Sequence, residues 1–384
     1  MSRIRVEKAE ETDVFAALRE DWSRLFAGSD CSPFLAWEWL SVWFKCFGAD
    51  RSPFILKVTR ENELIGILPL CLQKKKVLGM NLRKLGFIGE AQGGADYLDL
   101  IARREDKAEI LTAIFEFLTA EKSFDVISLE NLANDSETVG FFANTSSVLQ
   151  TSVCPQIDLS SGWDAVLKQS KRADNFKRRL KKLEKLEGFE FRSITSPDEI
   201  SEAFERFYYL HEKRWAKDGG SELSGHPRLL AFQHEVVKNS KFIRFDELWA
   251  EGECRASVYG LDDGKTFYYY NSGYDLDWAN RSVGLVLIGL SVKNAIERDN
   301  SLYDFLRGDE TYKFDWANRQ NKLVTVNFSR RNLPAMVYNA LNQTSLQLRS
   351  FSKSILPSNL AENLKTWKRN WQRNRQLKPK AETL

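Results

Sequence analysis

The chain has 384 residues, of which 43% are hydrophobic and 12% aromatic, the composition of a well-packed globular protein. This length exceeds what one hydrophobic core usually supports, so we predict two globular units followed by a tail. The formal net charge of +3 is too small to indicate a nucleic-acid-binding protein, so any basic site must come from local clusters of lysine and arginine.

The cysteines and the N-terminus predict a cytoplasmic protein. Five cysteines are widely spaced and form no C-x-x-C pair, which is typical of free thiols in a reducing compartment. The first residues, MSRIRVEKAEE, lack the apolar core of a signal peptide. The longest apolar stretches, such as residues 283–292, reach about half the length that spans a bilayer, so no transmembrane segment is expected. Three histidines without ligand spacing predict that no metal is bound.

In the first half of the chain, hydrophobic periodicity predicts a helix, a hairpin, two further strands, a second helix and a closing strand. These elements cover residues 33–48, 53–60 and 63–73, 82–89 and 97–101, 105–121, and 125–131. Strand, helix and strand at this spacing predict a crossover unit with parallel strands.

The second half repeats this order: a helix ending near residue 216, a three-stranded meander, a helix and a closing strand. The last five of these cover residues 245–250, 254–261, 265–271, 284–298 and 302–306. The shared order predicts a duplication with a boundary near residue 150. Helices are expected beyond Asn332, ending in a basic run at 365–380.

The closing strand of the second half leads into a stretch, residues 302–318, that mixes charges with aromatic rings. Its charged residues are Asp304, Arg307, Asp309, Glu310, Lys313 and Asp315. Neither an ordinary surface loop nor a buried strand uses this combination. Because ligands of open α/β sheets bind at the carboxyl ends of strands, we predict a polar site there.

Gly284 opens the last helix of the second half, where unpaired amides and the helix dipole favour an anion such as phosphate. Arg281 adds a full positive charge beside it, whereas Asp275 and Asp277 oppose it. The equivalent helix of the first half begins with acids that already complement its dipole. The second half is therefore the better anion site.

A basic helix is predicted over residues 168–188. From Lys171 to Glu187 it carries eight lysines and arginines against three acids, and apolar residues recur at helical spacing. It could contact the phosphates of a nucleic acid, or it could be a solvated helix docked on the core.

The chain resembles the acyltransferases of the GNAT superfamily, in the two-domain version typified by CelD/BcsL-like proteins and related to the FemAB peptidyltransferases. The first half contributes SPFLAWEWLSVWFKCFG and ELIGILPL to this resemblance. The second half contributes LHEKRW (210–215), YNSGYD (270–275), the helix at 284, and YDFLRGDETYK (303–313). Together these segments span roughly residues 30–330 in the expected order.

The resemblance implies an acyl-CoA donor, most simply acetyl-CoA, with no metal. The loop RSVGLV would hold the pyrophosphate, although Val286 replaces a small residue of the family pattern and would hinder close backbone approach. The pantetheine arm would lie between the strand that ends near Tyr274 and the strand at 302–306. The implied cofactor-binding residues are Tyr274, Arg281, Ser282, Val283, Gly284 and Leu285.

The implied reaction is direct attack of an amine or hydroxyl on the thioester. Tyr312 is the candidate general acid, and Asp309 or Glu310 the candidate base or amine-steering carboxylate. His211 is a further candidate, against its alternative as a half-buried structural residue. The candidate substrate-binding residues are Arg214, Trp215, Tyr270, Asp304, Arg307 and Lys313.

We therefore expect an α/β protein of two tandem GNAT-like domains with mixed sheets, residues 1–150 and 151–333, and a basic helical tail, 334–384. The second domain would be catalytic, and the first would shape the cleft for a saccharide or other small-molecule acceptor in polysaccharide or cell-envelope biosynthesis. One alternative is a FemAB-type transferase that uses aminoacyl-tRNA, bound at residues 168–188. Another is a non-catalytic scaffold. The helix 168–188 and the basic tail could also contact an anionic membrane surface.

Overall fold

The computed structural model of the chain describes residues 4–9, 13–143, 145–216 and 220–341. Within them, thirteen strands form one mixed sheet. The strands are β1 (Ile4–Lys8), β2 (Arg51–Arg60), β3 (Glu63–Val77), β4 (Met80–Phe87), β5 (Ile101–Ala102), β6 (Val126–Ala133), β7 (Ser147–Asp158), β8 (Glu190–Ile194), β9 (Ile243–Ala250), β10 (Glu253–Asp262), β11 (Thr266–Tyr274), β12 (Leu302–Asp304) and β13 (Arg319–Ser329).

Eleven α-helices with assigned bounds accompany this sheet in the described part of the chain. They are α1 (Val14–Ala27), α2 (Trp37–Phe47), α3 (Lys107–Ala120), α4 (Glu137–Phe142), α5 (Gly162–Gln169), α6 (Ala173–Leu183), α7 (Pro197–Trp215), α8 (Glu222–Gly225), α9 (Pro227–Asn239), α10 (Val283–Glu297) and α11 (Thr311–Phe314). Residues 333–341 are also helical.

The strand order is β1-β2-β3-β4-β6-β13-β7-β12-β11-β10-β9-β8, with β5 on β3. The pairs β4–β6 and β11–β12 are parallel, and each is joined by a crossover helix, α3 or α10. The other strand pairs are antiparallel. The predicted hairpin, meander and both crossover units are confirmed, as is the mixed α/β fold.

β13 joins the two halves, because it lies between β6 and β7 and pairs with both. β13 follows the second crossover unit in sequence but pairs with β6, the last strand of the first crossover unit. β7, which pairs with β12 and β13, spans residue 150.

Two main hydrophobic cores lie on the sheet. The larger includes the first half together with α7, α9 and the ring of Tyr259 from β10. The smaller lies under α10, where Val258 of β10 and Leu287 of α10 are buried together with the α6 residue Phe176. Strand β10 therefore buries alternate side chains in different cores, as its period of two requires.

Three predicted elements differ from the structure because the backbone turns. Residues 97–101 form a strand only at Ile101–Ala102, since Tyr97 has a positive φ of 57°. The strand 302–306 ends at Asp304, because Leu306 has a φ of 55°. The helix predicted over 168–188 is wrong in its bounds: α5 ends at Gln169, Lys171 donates its backbone N–H to Asp315 O, and α6 covers 173–183. The predicted tail, except its first residues, lies outside the described residues.

Candidate functional site

Strands β11 and β12 run together for only three residues and then separate. Their parallel ladder joins Thr266–Tyr268 to Leu302–Asp304. Beyond it the chain follows β7 instead, where Phe305 donates its N–H to Pro155 O and Gly308 donates to Val153 O. β11 continues to Tyr274 with only β10 beside it in the described structure. One edge of the β11 segment from Tyr269 to Tyr274 is therefore left without a neighbouring strand.

A cavity of about 270 Å³ fills this gap between the strands. Seven of the predicted site residues line it together: Arg214, Tyr274, Ser282, Val283, Gly284, Leu285 and Tyr312. The wall also includes Arg172, Tyr269, Ser272, Asp315 and the buried apolar residues Val258, Leu287 and Trp316. The cavity is thus polar where the strands separate and apolar beneath α10.

The first turn of α10 opens into this cavity with its amides uncapped. Ser282 has left-handed backbone geometry (φ 59°), its side chain makes no cap, and the first turn contains no acid. The first hydrogen bond of the helix is donated by the Val286 N–H to Ser282 O, at 3.2 Å. The N–H groups of Val283, Gly284 and Leu285 therefore have no intrahelical acceptor and carry the positive end of the helix dipole.

The neighbourhood of this helix tip is less acidic than the sequence indicated. Asp275 and Asp277 both accept hydrogen bonds from Lys213 Nζ, at 2.5 and 2.7 Å, and Arg255 lies 3.2 Å from Asp275. Burial alone would raise the pKa of Asp275, but the bonds from Lys213, the Asp277 N–H and Arg255 together hold this pKa below its usual value. The positive side chains of Lys213 and Arg255 therefore balance these carboxylates, which reduces their repulsion of an anion at Gly284.

Two residues of the loop RSVGLV, Arg281 and Val286, lie outside the cavity wall. Arg281 does not line the cavity, because its guanidinium stacks on Trp278 (4.0 Å to the ring centre) and pairs with Glu251 at 3.2 Å. Val286 does not obstruct the cavity, since its side chain is fully buried in the core under α10. At Gly284 an added Cβ would meet only the Tyr274 ring, at 3.6 Å. The backbone at Gly284 is therefore open to close approach.

The charged stretch after β12 divides into a cavity part and a structural part. Tyr312 belongs to the cavity part, and burial, with Tyr269 next to it, raises its pKa strongly, so the phenol keeps its proton at neutral pH. Lys313 is buried away from the cavity, paired with Glu310 at 3.0 Å and bonded to Arg307 O at 2.8 Å. Asp309 is exposed on the loop. The carboxylates of Asp309 and Glu310 do not line the cavity.

Three predicted substrate residues lie instead where the two halves meet. Asp304 accepts hydrogen bonds from Tyr97 Oη (2.7 Å) and Gln156 Nε2 (2.6 Å). Arg307 pairs with Asp96 at 2.5 Å. Tyr270 donates to a carbonyl of the first half, that of Gly93, at 2.7 Å. None of the three lines the cavity, because each side chain is directed at the loop between β4 and β5 or at β7.

His211 also lies outside the cavity wall, buried on α7 behind β11. Burial lowers its pKa, so the ring is neutral, and Nδ1 lies 3.1 Å from Ser272 O. Trp215, one turn further, packs beside both the His211 ring and the Arg214 guanidinium. These α7 residues support the cavity wall rather than form it, with the exception of Arg214.

Sequence reasoning missed several cavity residues, among them Tyr269, Ser272 and Arg172. Tyr269 and Ser272 lie on β11, which extends to Tyr274 and shifts its register against β10 between Tyr269 and Asn271, and both line the gap. Arg172 was treated only as part of a basic face. It lines the cavity and pairs with Asp315 at 2.7 Å. The sequence signal that could have found the β11 residues was a strand that ends just before the start of a helix.

Neither a metal site nor a membrane span is found in the described residues. They contain no group of three or more His, Cys, Asp or Glu side chains arranged to hold a metal ion. No described helix combines the length and apolar composition needed to cross a bilayer.

The comparisons with known proteins agree with this geometry. Residues 170–314, which include α6, α7 and α9–α10, the meander and most of the cavity wall, match the family described as acetyltransferase (GNAT) domain. No curated protein matches the chain in sequence.

Solved structures with the same fold include FemX, at 12% identity and a TM-score of 0.57, over 87% of this chain and 99% of that one. They also include L-PGS from Bacillus licheniformis, at 13% identity and a TM-score of 0.51, over 85% and 95% of the two chains. A third is the C-terminal domain assigned to a lysylphosphatidylglycerol synthetase of Agrobacterium fabrum, at 10% identity and a TM-score of 0.53, over 86% and 97%. The chain therefore has a GNAT-type fold, and its residues 170–314 match the acetyltransferase domain of that fold.

Proposed function

We propose that the chain is an acyltransferase that moves an acyl group, most simply acetyl, from acyl-CoA to an amine or hydroxyl. The observation that carries this proposal is the cavity at the open edge of β11, which contains both the uncapped tip of α10 and the phenol of Tyr312. A diphosphate has a site at the helix tip, and a thioester has room along the edge of β11.

In the proposed reaction the acceptor nitrogen or oxygen bonds to the thioester carbonyl carbon while the C–S bond breaks. CoA leaves as a thiolate and takes a proton from Tyr312, while the acceptor loses one proton to solvent, from which Tyr312 regains its proton. Asp309 and Glu310, which precede Tyr312 by no more than three residues, are the carboxylates that we propose to steer a cationic amine toward the cavity.

The acceptor, the domain division and the type within the superfamily are also proposals. The resemblance supports a CelD/BcsL-like protein with a catalytic domain of residues 151–333 and a first domain, 1–150, that shapes the acceptor cleft. It also supports a saccharide or cell-envelope acceptor. In the first half, Lys84 of β4 pairs with Glu90 of the loop between β4 and β5 (3.1 Å) and with Glu130 of β6 (2.9 Å).

Calorimetry with acetyl-CoA tests the proposal. We expect binding to the wild-type chain, and its loss in Gly284→Trp, because the indole would occupy the space in front of the free amides. Gly284→Ala should fold normally, since its Cβ meets only an ordinary contact at 3.6 Å, and Gly140→Ala, an unobstructed helical glycine in α4, is its matched control. Arg281→Ala should bind normally, because Arg281 pairs outside the cavity. Equal heats for wild type and Gly284→Trp would contradict the proposal.

The second candidate is a transferase that uses aminoacyl-tRNA, favoured by the position of α6. Arg172, directly before α6, lines the cavity, and Arg179 of α6 donates to Asn280 O at 2.8 Å. The basic helix therefore lies beside the part of the cavity where the acyl donor is proposed to bind. Exposed lysines 177, 181, 182 and 185 face solvent there. FemX shares the fold. Binding of tRNA that falls steeply with salt, in a chain that shows no heat with acetyl-CoA, would select this candidate.

A further inference from the structure

The hydroxyl of Ser272 has a hydrogen to donate into the cavity. Tyr269 donates its phenolic hydrogen to Ser272 Oγ at 2.5 Å, and Arg214 Nη1 lies 3.5 Å from the same oxygen. A serine hydroxyl has two acceptor positions and one hydrogen. Both neighbours approach as donors, and no described residue accepts a hydrogen bond from the Ser272 hydroxyl. Since Ser272 lines the cavity, its O–H is free for a ligand.

The surroundings of Ser272 fix its position and make its O–H a stronger donor. The Ser272 carbonyl accepts from the neutral His211 ring at 3.1 Å, which anchors the backbone of β11 at that residue. α7 lies directly on the next residue, because a Cβ on Gly273 would come within 2.5 Å of His211 N.

Arg214 adds positive charge beside the hydroxyl. It stacks on the Tyr274 ring, with 5.2 Å between the guanidinium carbon and the ring centre, and no carboxylate pairs with it among the described residues. A donor with a positive charge behind it stabilises an oxygen that becomes negative.

We propose that Ser272 is a catalytic residue whose hydroxyl donates a hydrogen bond to the acyl carbonyl oxygen of the donor, with Arg214 as the positioning residue behind it. This inference rests on the proposed acyl transfer. When the acceptor bonds to the carbonyl carbon, the carbonyl electron pair moves onto oxygen and returns when the C–S bond breaks. An alkyl hydroxyl is too weak an acid to release its proton there, so Ser272 donates a hydrogen bond and keeps the proton. Tyr312 remains the proposed proton source for the thiolate.

The test is infrared difference spectroscopy of acetyl-CoA carrying ¹³C in the acetyl carbonyl, bound to the full chain. A hydrogen bond weakens the C=O bond, so the bound wild-type carbonyl should absorb at a lower frequency than the free thioester. In Ser272→Ala the bound frequency should move back toward the free value, while the Kd for acetyl-CoA changes by no more than about tenfold, because one neutral hydrogen bond is lost. Arg214→Gln should reduce the shift, and Ser272→Thr should keep it.

Ser257→Ala is the matched control. Ser257 lies on the adjacent strand β10, is fully buried and has no hydrogen-bond partner among the described residues, so its loss should leave the carbonyl frequency unchanged. If acetyl-CoA binds with the same carbonyl frequency in wild type and Ser272→Ala, the inference is wrong and the proposed function stands. If calorimetry shows no acetyl-CoA binding to the wild-type chain, the proposed function and this inference are both overturned.

Discussion

At the scale of single residues, Asp304 explains much of the charged stretch after β12. Its carboxylate is 1% exposed and accepts hydrogen bonds from Tyr97, Gln156 and the backbone of Leu306. Two of these donors lie on other elements, the loop between β4 and β5 and the strand β7. A charge that looked like a ligand-binding group in the sequence therefore holds the two halves of the chain together.

The stability of the chain should depend on pH through Asp304. Burial raises its pKa to about 6 from an ordinary value of 3.8. Between about pH 4 and 6 the folded state therefore binds a proton that the unfolded state has lost, and stability falls as the pH rises through this window. Two pKa units correspond to about 3 kcal/mol.

Urea unfolding from pH 4 to 7 measures this contribution. In Asp304→Asn the amide oxygen can replace Oδ2, which accepts both side-chain hydrogen bonds, but the NH₂ group then faces the Leu306 N–H. The variant should therefore be less stable than wild type at pH 4, and the gap should narrow by up to about 3 kcal/mol by pH 7. Asp309→Asn, which removes an exposed charge, is the control. A stability gap that is the same at pH 4 and pH 7 would rule out a raised Asp304 pKa.

Sequence patterns predicted the residues at the helix tip better than the charged residues. Gly284 could be placed because helix starts have local signals and a glycine there leaves the backbone open. Arg281 and Arg307 could not be placed, since each makes an ion pair with a residue that only the folded chain brings close. Hydrophobic periodicity carries no information about such partners.

At the scale of elements, the position of α7 against β11 decides where His211 and Arg214 lie. Gly273 makes this packing possible, because a Cβ there would meet the backbone of Leu210 and His211 at 2.5–3.0 Å. Backbone atoms cannot rotate away as a side chain can. The helix therefore rests on the strand itself.

Gly273→Ala should push α7 away from β11 and lower the free energy of unfolding by about 1–3 kcal/mol, the usual cost of overpacking. Urea denaturation measures the loss, with Gly140→Ala in the open surface of α4 as control. Near-UV circular dichroism should change as well, since Tyr269 and Trp215 flank this contact. Wild-type stability in Gly273→Ala would show that α7 does not pack this closely.

Element types could be predicted from the sequence, but not all element ends. The strands of the meander and the helix α10 follow clear periodicity, and their order gave both crossover units. The short β12 and the break between α5 and α6 depend on left-handed backbone at Leu306 and on hydrogen bonds to Asp315 O. Tertiary contacts of this kind override local preference.

At the scale of the whole molecule, the halves share one sheet and one of its two main cores. β13 lies between β6 and β7, so each half completes the other. The sequence predicted the repeated order of elements, but not this exchange, in which β7 pairs with β12 and β13 pairs with β6. The cavity position depends on it indirectly, since β7 draws the chain away from β11 after Asp304.

The chain should unfold in a single cooperative transition. A fragment of residues 1–150 would lack β13 and most of β7, leaving the β6 edge and its apolar face uncovered, so it should not fold alone. Scanning calorimetry of the full chain and circular dichroism of the fragment measure this. Two separate transitions, or a folded fragment with native-like helix and strand content, would mean that the halves are independent.

The central claim is that the diphosphate of an acyl thioester binds the free amides of α10 and that its acyl end lies along the open edge of β11. Hydrogen exchange with and without acetyl-CoA tests both parts at once. The account predicts slower exchange in peptides covering residues 269–274 and 282–286, no change at the start of α3, and no protection in Gly284→Trp. Protection confined to other segments, or equal protection in Gly284→Trp, would contradict it.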